Sequence, residues 1–79
     1  MLDNNGEKIR GFFAQFLDME AGEIDSGANL RDDLEMDSTE TLEFIVALER
    51  EFNIKISDGE VTNRHSVLDV VKTVEGKLG

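Results

Sequence analysis

Apolar residues recur at helical spacing in three separate stretches, and this periodicity restricts the fold more than any other feature. The first stretch has Ile9, Phe12, Phe13, Phe16 and Leu17 at i, i+3, i+4, i+7 and i+8, which is typical of one face of an amphipathic helix. Proline, the residue that most disrupts helices, is absent from the chain. The sequence therefore predicts an all-α fold.

The start of the second helix is marked by a capping pair. Asp37 is followed three residues later by Glu40, the pattern of a capping box. The apolar residues that follow cover about half of the helix circumference, more than one packing face requires: Leu42, Phe44, Ile45, Val46, Leu48 and Phe52. We expect the stripe of Ile45, Leu48 and Phe52 to lie in the core, with Val46 nearer an acidic face.

Other capping pairs predict the remaining helices. The first helix has Asn4 and Glu7 at its start, Ser57 and Glu60 predict a short helix through Val61, and a third pair opens the last helix at residues 66 and 69. The last helix has one apolar stripe, formed by Val67, Val70, Val71, Val74 and Leu78. The prediction is a small four-helix bundle of three longer helices and one short helix, with residues 53–56 as an extended connector.

Residues 21–33 have no sustained period and predict a long loop between the first two helices. This segment contains two glycines and four acids, and we expect Ile24 and Leu30 to hold it against the core. A chain of 79 residues that is 39% hydrophobic can build one small core. We therefore expect a single domain over residues 1–79.

Acidic residues are concentrated in the middle of the chain. Residues 18–60 contain fourteen acids and three bases, and the overall net charge is -10. The net charge excludes binding to a nucleic acid backbone, and the concentration of acids favours a patch for a basic protein partner over a plain solvated face. Without a long apolar run or a signal-peptide pattern, we expect no membrane insertion and a cytoplasmic location. Cysteine is absent, which excludes disulfides, thiolate metal sites and a cysteine nucleophile.

Two chemical interpretations of the acidic segment before the second helix fail. Acids at positions 33, 35 and 37 alternate as in an EF-hand loop, but Ser38 and Phe44 replace the glycine and the glutamate that such a loop requires. A hydrolytic triad of Ser38 with the single histidine, His65, lacks both a G-x-S-x-G elbow and a glycine-rich oxyanion loop. We therefore expect neither a specific metal site nor a hydrolytic triad in this segment.

Ser38 itself has two interpretations that its position leaves open. At the first turn of a helix its hydroxyl would lie beside unpaired backbone N–H groups, where the helix dipole favours a phosphate. Ser38 would then be an attachment point. Alternatively, it would only cap the helix, as serine commonly does.

The segment around Ser38, together with the end of the second helix, resembles the acyl carrier protein family. The matching residues are Asp33, Leu34, Asp37, Ser38 and Glu43 and the run ALEREF at positions 47–52. The resemblance extends more loosely over the whole chain. Thr39 stands where the family usually has an apolar residue, which indicates a specialised member.

The resemblance implies a carrier and not an enzyme. In this family a phosphopantetheinyl transferase attaches 4'-phosphopantetheine from coenzyme A to a serine, which here is Ser38, with Asp37 beside it in the recognition motif. The thiol of the arm holds acyl groups as thioesters and delivers them to enzymes of lipid (such as fatty acid), polyketide or related biosynthesis. We expect a monomer. The alternative is a carrier-like interaction module that is not pantetheinylated and binds basic partners through its acidic second helix.

The resemblance also implies two surfaces. A partner-binding face would meet basic docking patches on acyl-loading and acyl-processing enzymes, and it would contain Met36, Thr39, Glu40, Glu43, Val46, Ala47 and Glu51. An acyl cleft between the helices would be lined by Phe44, Val46, Leu48, Ile56 and Val61. A closed core without a cleft is the open alternative.

Overall fold

The computed structural model describes residues 4–78. Helices are the regular secondary structure of that range. It contains the α-helices α1 (Asn4–Leu17), α2 (Ser38–Phe52) and α3 (Val67–Leu78), with a 3-10 turn at Ala21–Glu23. The described residues form no strand, only one isolated antiparallel bridge between Asn29 and Ser66. The all-α prediction is confirmed. The residue before α1, where its cap would lie, is outside the described residues.

The predicted short fourth helix is wrong, because residues 57–61 form only a turn. Only one contact of the predicted capping pair forms: Ser57 N–H donates to the Glu60 carboxylate at 2.6 Å, whereas Glu60 N–H donates to the Ser57 backbone carbonyl at 3.1 Å instead of to its side chain. Gly59, however, has a φ of 87°, in the left-handed region that does not continue a right-handed helix. The whole connector between α2 and α3, residues 53–66, is therefore not helical.

Aromatic side chains of α1 and α2 meet at the centre of the core. The Phe44 ring of α2 stacks on the Phe13 ring of α1 with centroids 4.0 Å apart, and both side chains are fully buried. The rings of Phe12 and Phe16 contact Phe44 at 5.6 and 5.3 Å. Pairs in such tilted and offset arrangements stabilise a core beyond their buried area.

Burial along α2 and α3 differs from the predicted stripes at the helix edges. On α2, Leu48 is fully buried, but Ile45 and Phe52 are only half-buried, because Phe44 occupies the central position. On α3 the four valines of the stripe are buried, whereas Leu78, in the last turn, is 44% exposed. No helix within the described range is long and apolar enough to cross a membrane.

The long loop before α2 is bonded to the chain just before α3. Leu30 N–H donates to the His65 carbonyl at 3.0 Å, and Val67 N–H donates to the Ala28 carbonyl at 2.9 Å. Ile24 and Leu30 are buried, which confirms that they hold the loop against the core. These long-range bonds position the residues that lead into α2.

The Asn29 side chain organises the same loop. Its Oδ1 accepts from the N–H groups of Arg31 at 3.0 Å and Asp32 at 2.9 Å, while its Nδ2 donates to the Arg64 carbonyl at 2.8 Å. One amide side chain thus closes a local turn and joins it to the connector. The predicted loop is long, but it is well anchored.

Candidate functional site

Ser38 is the first residue of α2, and its neighbour Asp37 is the N-cap. The Asp37 carboxylate accepts from Glu40 N–H at 2.7 Å, and the Glu40 carboxylate accepts from Asp37 N–H at 3.4 Å, which completes the predicted capping box. Ser38 is exposed, and within residues 4–78 its hydroxyl has no hydrogen-bond partner. Capping is therefore done by Asp37, which leaves the Ser38 hydroxyl free for chemistry.

Thr41 holds the first turn of α2 from the inside. It is the one buried polar residue among those described, at 3% exposure, and its hydroxyl donates to the Asp37 carbonyl at 2.8 Å. Thr41 N–H donates to the same carbonyl at 2.9 Å. The backbone on either side of Ser38 is consequently fixed.

A narrow hollow of about 150 Å³ opens beside Ser38, between α2 and the connector. Its α2 side is formed by Ser38, Thr41, Leu42 and Ile45, which follow one another at i, i+3, i+4 and i+7. Its connector side is formed by residues 61–63. A cavity of this size accommodates a small apolar molecule such as benzene.

A second, broad hollow of about 430 Å³ also borders Ser38. Its lining is more polar than that of the narrow hollow and includes charged side chains. It consists of Arg31, Glu35, Met36, Asp37, Ser38 and Asn63. Ser38 and Asn63 line both hollows. The serine therefore lies on the boundary between a charged depression and an uncharged one.

Several predicted cleft residues lie elsewhere. Of the five, only Val61 lines the narrow hollow. Phe44 and Leu48 are fully buried in the closed core, Ile56 is buried, and Val46 is exposed on the outside of α2. Leu42 and Ile45 line the hollow instead, because their helical spacing from Ser38 places them on its side of α2. That spacing was visible in the sequence, whereas the contribution of Thr62 and Asn63 was not.

The predicted partner-binding residues are mostly accessible. Thr39, Glu43, Val46 and Glu51 are exposed, and Glu40 and Ala47 are half-buried. The prediction is wrong for Met36, whose side chain is fully buried and therefore unavailable to a partner in this structure. Leu42, which is not among the predicted partner-binding residues, is 58% exposed.

Two carboxyl groups away from Ser38 have shifted pKa values. The Lys77 ammonium, which donates to Glu60 at 2.9 Å, lowers the pKa of that carboxyl, and the Ser57 N–H adds to the effect. The pKa of Asp69 is lowered chiefly by Ser66 N–H, which donates to it at 3.0 Å. Both groups stabilise local structure: Glu60 joins the connector to α3 through Lys77, and Asp69 bonds reciprocally with Ser66, which caps α3 as predicted.

Comparison with known proteins identifies the family. A family model for the phosphopantetheine attachment site matches residues 7–74. An acyl carrier protein of Prochlorococcus marinus (strain MIT 9515) is 37% identical over 73 residues, which cover 92% of this chain and 91% of that protein. The chain belongs to the acyl carrier protein family. Acyl carrier proteins are carriers and not enzymes, and phosphopantetheine is the cofactor of the family.

Proposed function

We propose that this acyl carrier protein bears 4'-phosphopantetheine on Ser38 and shuttles acyl intermediates between enzymes of lipid, polyketide or related biosynthesis. The observation that best supports this is the exposed Ser38 hydroxyl, which has no hydrogen-bond partner in the described part of the chain. When bound, the cofactor supplies a thiol that holds an acyl group as a thioester. The chain has no cysteine to provide one.

The surroundings of Ser38 fit an attached phosphate. Its position at the start of α2 is close to backbone N–H groups at the positive end of the helix dipole, which favours an anion. Asp37 and Thr41 hold this turn in place, so the hydroxyl is presented at a fixed point of the surface. A phosphopantetheinyl transferase can reach the hydroxyl without first breaking a hydrogen bond.

Intact-mass measurement tests the attachment. After incubation with coenzyme A and a broad-range transferase, we expect the protein to gain the mass of one phosphopantetheine. Ser38→Ala should abolish the gain. Ser57→Ala removes another exposed serine, on the connector, and should leave the gain unchanged. The absence of any gain with several transferases would contradict the proposal.

We also propose that the outer face of α2 docks onto basic patches of the transferase and of the acyl-loading and acyl-processing enzymes. The exposed acids Glu43 and Glu51 lie on this face with Val46 between them in the sequence. Exposed charges at the rim of an interface steer encounter more than they add affinity. Weak, salt-sensitive association suits a carrier that must leave each partner.

Charge reversal tests the docking face. We expect Glu43→Lys to slow acyl transfer to a partner enzyme about fivefold at low ionic strength. The variant loses an exposed ion pair, which contributes little by itself, and gains repulsion from the basic patch of the partner. The difference should shrink as salt is added. Glu40 is a poorer choice because its carboxylate also bonds Asp37 N–H. Asp25→Lys, an exposed acid in the long loop, is the matched control. Equal slowing by both variants would show that only net charge matters.

A further inference from the structure

The two hollows beside Ser38 differ in charge. The narrow hollow is lined, among the described residues, by uncharged side chains only. The broad hollow contains two acids, Glu35 and Asp37, and a single base, Arg31. An anion attached at the boundary would be repelled by the acids and attracted by this one guanidinium.

The backbone of Arg31 is fixed relative to Ser38 through Asn63. Arg31 N–H donates to the Asn63 carbonyl at 2.9 Å, and the Asn63 side chain donates from Nδ2 to the Met36 carbonyl at 3.2 Å. Met36 is two residues before Ser38 and is fully buried. One residue of the connector thus bonds both to Arg31 and to the segment that enters α2.

The Arg31 side chain keeps donors available. Its Nε pairs with Asp32 at 3.3 Å, but the two side chains are 60% and 67% exposed, and ion pairs this exposed are weak. In the described part of the chain no other group occupies its terminal amino groups. A guanidinium has five N–H donors and binds a phosphate through two of them at once.

We propose that Arg31 binds the phosphodiester of the arm attached to Ser38, with Asn63 as the positioning residue that holds Arg31 beside it. This proposal rests on the proposed function. The contact offsets the repulsion between the phosphodiester and the carboxylates of Glu35 and Asp37. It also draws the charged end of the arm toward the broad hollow and away from the uncharged one.

Nuclear magnetic resonance of the arginine side chains tests the contact. We expect the Nη–H resonances of Arg31 to shift when the wild-type protein is converted to the phosphopantetheinylated form, and their exchange with water to slow. The Nη–H resonances of Arg50 and Arg64, which line neither hollow, should stay in place. A uniform response of Arg31, Arg50 and Arg64, or no response of Arg31, would overturn the proposal.

The phosphorus resonance of the modified protein provides a second readout. Arg31→Gln should shift it and lengthen its transverse relaxation time, because the phosphate becomes more mobile. Arg31→Lys should restore part of the shift, and Arg64→Gln should leave it unchanged. If mass measurement shows full modification but Arg31→Gln leaves the phosphorus signal as in wild type, this inference alone fails. If no mass is gained, the proposed function fails, and this inference fails with it.

Discussion

At the scale of single residues, substitution can separate the capping role of Asp37 from its proposed role in recognition by a transferase. The Asp37 carboxylate accepts from Glu40 N–H at 2.7 Å, and the residue is exposed directly beside Ser38. Asparagine caps helices about as well as aspartate but is uncharged, whereas alanine cannot cap. We expect Asp37→Ala to lower the free energy of unfolding by about 1 kcal/mol. Asp37→Asn should change it little, as measured by urea denaturation.

The same pair of variants tests whether a transferase uses the Asp37 charge. We expect Asp37→Asn, although stable, to be phosphopantetheinylated more slowly than wild type, because a docking contact to the carboxylate is lost. The time course of the mass gain measures this. Modification of Asp37→Asn at the wild-type rate would mean that the carboxylate acts only as a cap.

The sequence predicts a side-chain interaction correctly where both partners lie within one helical turn. The capping pairs Asp37–Glu40 and Ser66–Asp69 form as predicted, because their geometry depends only on local spacing. Met36 shows the opposite case. It precedes an exposed motif, yet it is buried, and its N–H donates to the Leu30 carbonyl at 2.8 Å in a loop whose course local spacing does not determine.

At the scale of elements, the connector between α2 and α3 was the hardest segment to predict. Ser57 and Glu60 make one of the two expected capping contacts, but the left-handed conformation of Gly59 prevents a helix. The connector nevertheless supplies Thr62 and Asn63 to the site, more than twenty residues beyond Ser38 in the sequence. No local pattern marks such residues, because their placement depends on how α3 and the long loop pack.

The Glu60–Lys77 contact ties this connector to α3 and predicts a pH dependence. The pKa of Glu60 is lowered from its ordinary value of 4.5 by Lys77 and Ser57. A carboxyl whose pKa is lower in the folded state stabilises that state fully above the unfolded value and loses the contribution as pH falls through the folded value. The contribution of Glu60 is therefore present above about pH 4.5 and lost below it.

Thermal unfolding as a function of pH measures this contribution. We expect the difference in Tm between wild type and Glu60→Gln to narrow as pH falls below about 4.5. The effect should be small, since the two side chains are about one-third exposed, at 32% and 34%. Lys77→Gln removes the ammonium but keeps the Ser57 contact, so it should give part of the effect. A Tm difference that is constant across this range would contradict the assignment.

At the scale of the whole molecule, the dominant property is the uneven distribution of charge. Residues 18–60 contain fourteen acids and three bases, and they include the whole of α2 and the long loop before it. Crowded like charges destabilise a compact state through mutual repulsion. Cations that accumulate near this segment should relieve that repulsion.

Divalent cations should accordingly raise the stability of the folded protein. We expect millimolar Mg²⁺ to stabilise it by about 1 kcal/mol, which corresponds to roughly 4–8 °C in Tm for a domain of this size. Residues 4–78 contain no group of three or more His, Asp or Glu side chains that could hold a metal ion. Cations that accumulate near the acids act through their charge, so Ca²⁺ should act similarly. NaCl at equal ionic strength is the control. An unchanged Tm with either divalent cation would contradict this expectation.

The backbone bonds between the long loop and the start of α3 also have a consequence for the order of synthesis. Leu68 N–H donates to the Ser26 carbonyl at 3.0 Å, and Leu68 is added to the growing chain thirty residues after Ser38. At translation rates of 5–20 residues per second this interval lasts roughly 1.5–6 s. Ser38 is therefore made before the partners that hold its loop exist. The loop before α2 can take up its native course only after the start of α3 has been made.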